Sequence, residues 1–281
     1  MTKPFDRSQH YSHIKGHLDR VHDHIIPAGA NYGQISKTEA EFLINRILDE
    51  RPRFVLEIGT AAGASTVHML MALQLLGNDF RLDAVEFLNH CYFDPSRTPG
   101  FLVGEVFDTP PRGYSLHLGK SSFEIGDVVG DQKIDFLFVD GNHTHPWATM
   151  DTILALPFLS DNATIVYHDI NLHHRGGAAK RHDKGPHNLF YHLPAGQKTV
   201  IGEFPYPNIG SLRLVGSPST ALGHLIGLLF HFPWEAKAWP PIDGTTLNRL
   251  AHFLDQYWGK NACLAFLHGM EQQKMLAARA R

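Results

Sequence analysis

Short apolar runs alternate with helix-length segments through the middle of this chain. The first run, Phe54 to Gly59, is β-prone and has no amphipathic alternation, which is typical of a central strand in a parallel sheet. A helix is expected from Ala64 to Leu76, and further strands are expected at Arg81 to Val85, Ile134 to Val139 and Ala163 to Tyr167. Strands that alternate with helices predict right-handed crossovers and a doubly wound, mostly parallel α/β sheet.

Elements on either side extend this pattern. Ser36 and Glu39 form a capping box before a helically spaced apolar run, and a long helix is expected from Trp147 to Leu159. A third strand is expected at Ser115 to Leu118, and a terminal hairpin at Thr199 to Glu203 and Ser211 to Val215. We predict three parts: an N-terminal helical arm (1–35), a core domain (36–216) and a C-terminal helical extension (217–281).

Composition narrows the class of protein. Hydrophobic residues make up 43% of the chain and charged residues 19%, as in ordinary globular proteins. The formal charge of −3 does not indicate the basic surface that a nucleic-acid-binding protein carries. Cys91 and Cys263 lie far apart, which favours a reducing compartment. The polar N-terminus lacks a signal-peptide core, and Leu222 to Trp234 is too short and broken to span a bilayer. We therefore expect a cytoplasmic protein without nucleic-acid or membrane partners, and a homo-oligomer remains open.

Candidate ligand-binding residues follow the first strand and end the second. The turn reads Glu57-Ile58-Gly59-Thr60-Ala61-Ala62-Gly63-Ala64-Ser65, and its glycines permit positive φ and close approach of a ligand. Glu86 could accept both hydroxyls of a ribose in charge-assisted hydrogen bonds. Dinucleotide folds favour G-x-G-x-x-G, where close glycines admit a pyrophosphate. Here an acid precedes the turn, which disfavours an anion but not a sulfonium with an ammonium group.

With these motifs the sequence resembles the class I S-adenosylmethionine-dependent methyltransferases. Within them it is most similar to the small-molecule O-methyltransferases of the macrocin and cephalosporin-hydroxylase-like group. The resemblance covers about residues 34–216 and is carried by Phe54–Thr66, Gly119–Ser122, Ile134–His145, Ala163–Asp169 and Pro207–Val215. It implies a Rossmann-like fold, S-adenosylmethionine as cofactor and a small-molecule hydroxyl as methyl acceptor.

The resemblance also implies a role for each motif position. Glu57, Gly59 and Gly63, with Thr60 and Ala61 in the same turn, would line the methionine part of the cofactor, and Ser65 would cap its carboxylate. Glu86 would hold the ribose, Ser121 and Ser122 would lie near the adenine, and Asp140 near the sulfonium. Lys120 stands where this group often has an acid.

Methyl transfer to a hydroxyl needs a general base or a metal that lowers the pKa of the hydroxyl. We expect Asp140, His143 and His168 to be catalytic. Asp140 and Asp169 follow strands of one sheet edge, and in related O-methyltransferases acids at these strand ends bind magnesium. His168 replaces a further acid of some relatives, and magnesium prefers oxygen ligands. Two options follow: a softer divalent metal held by Asp140, Asp169 and His168, or a metal-free site with His143 or His168 as base.

Several alternatives stay open at this point. His143 could only fix its turn, His145 could begin a helix, and His173 and His174 could lie in a solvated loop. Gly176-Gly177 would suit a flap. Aromatic residues between His90 and Tyr114 could line the acceptor pocket or pack the insertion: Tyr92, Phe93, Phe101 and Phe107. The competing functions are a nicotinamide-dependent oxidoreductase and a methyltransferase-like protein that binds the cofactor without chemistry.

Overall fold

A computed structural model describes residues 5–77, 79–175, 182–202, 205–235 and 240–279, with side chains described up to Gln273. The proposed Gly176-Gly177 flap and Glu203 of the predicted hairpin lie outside these residues.

Seven strands form one sheet in the order β3-β2-β1-β4-β5-β7-β6. The pairs among β1 to β5 are parallel, and β7 runs antiparallel to both β5 and β6. This confirms the predicted doubly wound, mostly parallel sheet with a terminal antiparallel hairpin. The strands are β1 Phe54–Ile58, β2 Arg81–Glu86, β3 Tyr114–Leu118, β4 Ile134–Val139, β5 Leu159–His168, β6 Ala195–Val200 and β7 Ile209–Leu214.

Helices cover both faces of the sheet. The α-helices are α1 Tyr11–Asp19, α2 Lys37–Glu50, α3 Ala64–Leu76, α4 Leu102–Val106, α5 Ile125–Val129, α6 Trp147–Ala155, α7 Leu172–Arg175, α8 Gly185–His192, α9 Pro218–His231, α10 Gly244–Trp258 and α11 Lys260–Arg279. Short 3-10 turns occupy Arg7–His10, Ser122–Glu124 and Leu156–Phe158, and a π-helical turn occupies Arg20–Ile25.

The sheet separates two apolar cores, one on each face. Successive residues of a strand point alternately into one core and into the other. On β4, Leu137 and Val139 pack with α6, α8 and the C-terminal helices, whereas Phe136 and Phe138 pack with α2, α3 and the arm. Because both faces are buried, these strands are apolar at nearly every position. The arm joins the second core through Ile14, Leu18 and Val21.

The C-terminal helices pack on the first core. Leu225, Leu228 and Leu229 of α9 are buried there, so the apolar run at 222–234 is a core element. In the part of the chain that the structure describes, no helix combines the length and apolarity that a bilayer crossing requires.

Three predicted boundaries differ from the structure by four residues, and one of them is the start of β5, which was expected at Ala163. The helix expected from Trp147 to Leu159 ends at Ala155, because Pro157 forms a 3-10 turn and β5 already begins at Leu159. The first hairpin strand begins at Ala195 rather than Thr199. This edge strand is mostly exposed, so no buried face fixes its register in the sequence.

Candidate active site

A cavity of about 990 Å³ opens where the parallel strands end, the position at which open α/β sheets bind ligands. Its volume lies at the upper end of ordinary small-molecule pockets. The predicted site residues that line it are Gly59, Thr60, Ala61, Glu86, Ser121, Ser122, Asp140, His143, His168 and Asp169.

Three predicted cofactor residues, Glu57, Gly63 and Ser65, do not line this cavity. Glu57 is fully buried and accepts hydrogen bonds from the hydroxyls of Ser65 and Thr66. Burial raises the pKa of Glu57 to about 8. These contacts tie β1 to the first turn of α3, so the expected direct contact of Glu57 and Ser65 with a cofactor is replaced by a supporting role beneath the turn.

The glycines of the turn make room for the protein's own backbone. At Gly59, with φ +88°, an added Cβ would overlap the carbonyl oxygen of Asp140, and at Gly63, with φ +91°, it would lie 3.0 Å from Cα of Gly100. Only Gly59 also faces the cavity. The sequence predicts the approach of a ligand at both glycines, whereas in the structure Gly63 allows the start of α3 to pack against residue 100.

Glu86 closes the turn from the end of β2. Its Oε2 accepts the backbone N–H groups of Thr60 and Ala61 at 3.0 and 3.1 Å, and its Oε1 accepts that of Leu88 at 3.0 Å. A carboxylate has about four lone-pair sites, so one acceptor site remains. The carboxylate lines the cavity, where contact with a sugar hydroxyl stays a prediction.

Two histidines and three acids meet at the β4–β5 end of the cavity, and we call Glu39, Asp140, His143, His168 and Asp169 the acidic histidine cluster. His168 Nδ1 lies 3.0 Å from Oδ1 of Asp140, and its Nε2 lies 3.4 Å from Oε2 of Glu39. His143 Nε2 lies 3.0 Å from Oδ2 of Asp169 and 3.6 Å from Oδ1 of Asp140. Nδ1 of His168 also lies 3.5 Å from Oδ1 of Asp169, so His143 contacts two carboxylates and His168 contacts three.

The carboxylates reverse the effect of burial on both histidines. Burial alone would lower the pKa of His143, but Asp169 and Asp140 raise it to about 10. The same acids raise the pKa of His168 well above its usual value. Burial opposes ionisation of Glu39, yet contacts with His168 and Ser36 lower its pKa to about 2. Arg175 also pairs with Glu39 at 3.1 Å, so the cluster approaches neutrality with both imidazoles protonated.

The donor set fits a divalent cation, with a different histidine from the one predicted. Ligand atoms of Asp140, His143 and Asp169 lie within 4.8 Å of one another. This group shares both carboxylates with the predicted set Asp140, Asp169 and His168 but contains His143 in place of His168. Binding of a cation at either set stays a prediction. Two carboxylates and one imidazole suit a softer metal than magnesium.

Sequence reasoning missed three polar residues here. Glu39 was visible only as the capping-box residue of α2, which it is. Asn208 donates to Oδ1 of Asp169 at 2.6 Å from the segment before β7. Asp151 on α6 lines the cavity and accepts from Ser122. Glu39 and Asn208 come from distant segments, and only the polar character of Asp151 on a largely apolar helix could have drawn attention to it.

The aromatic insertion and the other flagged histidines divide between cavity and scaffold. Tyr92 lines the cavity, whereas Phe93 and Phe101 pack against Tyr32 of the arm. His145 is fully buried, with Nε2 3.3 Å from the carbonyl oxygen of Leu229. His174 stacks on Tyr206 at 4.7 Å between ring centres. The insertion therefore holds the arm as well as shaping the cavity.

Comparison with known proteins agrees with this geometry. Residues 56–170, from β1 to just past β5, match a family model described as a methyltransferase domain. No curated protein sequence matches the chain. A candidate caffeoyl-CoA O-methyltransferase from Staphylococcus aureus is 12% identical, with a TM-score of 0.52 over 74% of this chain and 96% of that one. The SAH-bound methyltransferase PaMTH1 from Podospora anserina is 16% identical, with a TM-score of 0.50 over 77% and 99%.

The two solved structures show the fold, and the family match adds the activity. The matched segment contains the glycine turn, Glu86, Asp140 and Asp169. Residues 56–170 of this chain therefore form a methyltransferase domain.

Proposed function

We propose that this enzyme transfers the methyl group of S-adenosylmethionine to a hydroxyl oxygen of a small molecule. The observation that carries the proposal is the position of Asp140. Its backbone N–H donates to Ile58 beside the glycine turn at 2.8 Å, and its carboxylate belongs to the acidic histidine cluster. A proton-accepting group therefore lies next to the turn at which the cofactor would bind.

The cofactor would lie along the ends of β1, β2 and β3. We assign its methionine part to the Gly59–Ala61 turn, its ribose to Glu86, and its adenine to Ser121 and Ser122, all of which line the cavity. Asp140 would attract the positive sulfonium. When bound, the cofactor supplies a methyl group whose bond to sulfur breaks as the bond to oxygen forms, and sulfur keeps the electron pair.

The hydroxyl proton needs an acceptor, and we assign that role to His143. With a pKa of about 10 it carries its own proton at neutral pH. A positive charge nearby lowers the pKa of an imidazolium, so the bound sulfonium favours the neutral form that can accept the proton. Asp169 holds the imidazole at 3.0 Å. His168 contacts Asp140 and Glu39, so we assign it to positioning Asp140.

A metal-assisted route uses the same residues in another way. Asp140, His143 and Asp169 would hold a divalent cation, which would supply a lower pKa for the acceptor hydroxyl. A ligated imidazole has no lone pair left for a proton. His143 therefore serves either as base or as ligand, and chelator treatment separates the two: it removes activity only where His143 is a ligand.

Labelled methyl transfer tests the proposal. Purified enzyme is incubated with methyl-labelled S-adenosylmethionine and matched phenols, catechols, sugars and amines. We expect labelled ethers from hydroxyl acceptors, a large loss of turnover in His143→Gln, and none in His224→Gln, an exposed histidine of α9. Glu86→Ala should weaken SAH binding by about 1.5–3 kcal/mol.

The competing functions give different results. Cofactor binding without transfer to any acceptor supports the non-catalytic alternative. Thermal stabilisation by NAD but not by SAH contradicts the methyltransferase assignment. Transfer to amines alone overturns the hydroxyl acceptor and leaves the cofactor assignment intact.

A further inference from the structure

The loop between β4 and α6 carries His143, and segments that follow β5 in the chain hold this loop in place. The carbonyl oxygen of His143 accepts the backbone N–H of Gly185 at 2.8 Å. At Gly185, the first residue of α8, an added Cβ would lie 2.6 Å from the carbonyl oxygen of Thr144 and 2.9 Å from that of His143. The absence of a side chain at residue 185 therefore allows α8 to begin directly against the loop.

Glu235, in the C-terminal helical extension, holds the same loop at a second point. Its backbone N–H donates to the carbonyl oxygen of His145 at 2.9 Å, and its Oε2 accepts the backbone N–H of His145 at 2.5 Å. His145 is fully buried, and a buried backbone N–H without an acceptor is costly. The carboxylate of Glu235 supplies that acceptor.

One carboxylate oxygen joins the two segments that fix the backbone of His143. Oε2 of Glu235 also accepts the backbone N–H of Lys184, in a longer hydrogen bond of 3.4 Å. Lys184 directly precedes Gly185, the residue that donates to His143. His145 lies two residues after His143. The Glu235 carboxylate therefore fixes the loop and the start of α8 relative to each other.

The extension also reaches the cavity itself, farther along the chain. Trp147, at the start of α6, donates from Nε1 to the carbonyl oxygen of Pro240 at 2.9 Å, and both residues line the cavity. The family match ends at residue 170. The contacts at Glu235 and Pro240 therefore attach a segment outside the matched domain to the loop that carries His143.

The position of this loop matters for the proposed chemistry. A group that accepts a proton must lie within hydrogen-bond reach of it, at about 2.6–3.2 Å, and a misplacement of about 1 Å can reduce a rate about 100-fold. Asp169 holds the imidazole of His143 at 3.0 Å. The remaining freedom lies in the backbone of the loop, which Gly185 and Glu235 restrain.

We propose that Glu235 is a positioning residue, whose carboxylate holds the loop of His143 in the geometry that methyl transfer needs and makes the C-terminal helical extension part of the active site. Glu235 does not line the cavity, so it acts through His145 and Lys184 rather than on a ligand. The inference rests on the proposed function, in which His143 serves as base or as metal ligand.

Three side-chain variants test this role in the full-length enzyme. Glu235→Ala removes the acceptor, and we expect kcat for a hydroxyl acceptor to fall about tenfold to 100-fold. Glu235→Gln keeps an acceptor oxygen at the same reach, so kcat should stay within about threefold of wild type. Glu235→Asp keeps the charge but withdraws the oxygen by one CH₂ group, so its kcat should fall below that of Glu235→Gln.

Two further measurements separate positioning from a general loss of structure. Calorimetry with S-adenosylhomocysteine should give a dissociation constant within about threefold of wild type in all three variants, because Glu235 lies outside the cavity lining. Hydrogen exchange in the peptide that spans residues 141–147 should be faster in Glu235→Ala and Glu235→Asp than in wild type, and unchanged in Glu235→Gln.

Asp243→Ala is the matched control. The Asp243 carboxylate also accepts a backbone N–H within the extension, that of Thr246 at 2.8 Å, and it does not line the cavity. Its loss removes a helix cap, so the melting temperature should fall while kcat and the exchange of residues 141–147 stay as in wild type.

The variants give results that contradict the proposal as clearly as they support it. Wild-type kcat in a folded Glu235→Ala enzyme overturns it, whatever the melting temperature. If Glu235→Ala does not fold, the other two variants decide: a kcat that is kept in Glu235→Asp and lost in Glu235→Gln follows charge rather than reach and also overturns it. If wild-type enzyme methylates no hydroxyl acceptor, the proposed function fails, and this inference fails with it.

Discussion

Two histidine clusters border the cavity, and they differ in what surrounds the imidazoles. In the acidic histidine cluster, His143 and His168 each lie between carboxylates. The second cluster, which we call the imidazole cluster, joins His17 and His22 of the arm to His68 of α3. Nδ1 of His68 lies 3.1 Å from Nε2 of His17, and its Nε2 lies 3.1 Å from Nε2 of His22.

The same side chain has opposite acid–base behaviour in the two places. In the imidazole cluster, burial lowers the pKa of His17 to about 4 and that of fully buried His68 well below the ordinary value. In the acidic histidine cluster the carboxylates outweigh burial and raise the pKa of His143 to about 10. The neighbours, rather than the depth of burial, decide whether a buried histidine is charged.

The difference separates structural histidines from candidate catalytic ones. Neutral imidazoles can share one proton per N–H···N contact, so the imidazole cluster fixes the arm to α3 without holding a charge. The arm in turn contributes His22, Asn31, Gly33, Gln34 and Ile35 to the cavity lining. The acidic histidine cluster instead holds exchangeable protons beside the glycine turn, as proton transfer requires, and a cation would have to displace the proton of His143 to bind there.

The largest expected effect comes from breaking the acidic histidine cluster. Asp140→Asn keeps the shape of the side chain but removes the charge that both histidines share. We expect turnover to fall about 100-fold or more, the usual range for loss of acid–base catalysis. Initial rates at saturating S-adenosylmethionine measure this, with Asp127→Asn as the matched control. An Asp140→Asn enzyme that keeps half of the wild-type rate would remove Asp140 from the mechanism.

The two clusters also show how far the sequence could lead. Asp140 follows β4, and His168 and Asp169 lie at the end of the neighbouring parallel strand β5, so their convergence could be predicted from strand ends alone. Glu39 reaches the same cluster from the N-terminus of α2, and Asn208 from the segment before β7. No local pattern links those segments to β4 and β5, because their contacts depend on how the arm side and the hairpin pack on the sheet.

Side-chain direction was the other thing that the sequence could not supply. The spacing of residues places Glu57 next to the glycine turn. It does not determine on which side of β1 the carboxylate lies. In the structure it turns to Ser65 and Thr66, away from the cavity. Likewise, twenty histidines stood out in the composition, yet the contacts among His17, His22 and His68 join two elements more than forty residues apart.

Disruption of the imidazole cluster should affect stability more than chemistry. His68→Ala leaves a buried void and removes both ring contacts to the arm. We expect a loss of about 2–4 kcal/mol in the free energy of unfolding, from the void and the lost hydrogen bonds. Urea denaturation measures the loss, and turnover of the folded fraction should stay within about threefold of wild type.

A matched surface variant completes this test. His224→Ala removes an exposed histidine of α9 and should change stability by less than about 0.5 kcal/mol. If His68→Ala were as stable as that control, the contacts between the arm and α3 would contribute nothing to folding.

The two clusters predict opposite slopes of stability against pH. A folded pKa of about 4 for His17, against about 6.5 unfolded, means that the unfolded chain binds more protons in that interval, so stability falls as pH drops below 6.5. His143, with a folded pKa of about 10, contributes stability that is complete below 6.5 and is lost as pH rises toward 10. Each proton changes the free energy of unfolding by at most about 1.4 kcal/mol per pH unit.

Single variants should reduce one slope at a time. Denaturation between pH 5 and 6.5 avoids the acid titration of Glu39, whose folded pKa is about 2. There His17→Gln should reduce the slope without abolishing it, because His145 and His173 also have folded pKa values of about 4. Between pH 7 and 9, His143→Gln should reduce the slope instead, and the part that remains includes Glu57, whose folded pKa is about 8. If either variant reduced the slope of stability against pH in both pH ranges, the two clusters would titrate as one system.

The smallest expected effect is a metal-dependent shift in melting temperature, which sharpens the comparison because only one cluster offers carboxylates. Manganese at about ten times its dissociation constant should raise the melting temperature by about 3–6 °C, and magnesium by less, because one of the three ligands is an imidazole. The shift should increase with pH, since the cation competes with the proton of His143. His143→Gln should abolish the larger shift in melting temperature with manganese than with magnesium, and His17→Gln should keep it. Equal shifts in both variants would place the cation outside the acidic histidine cluster.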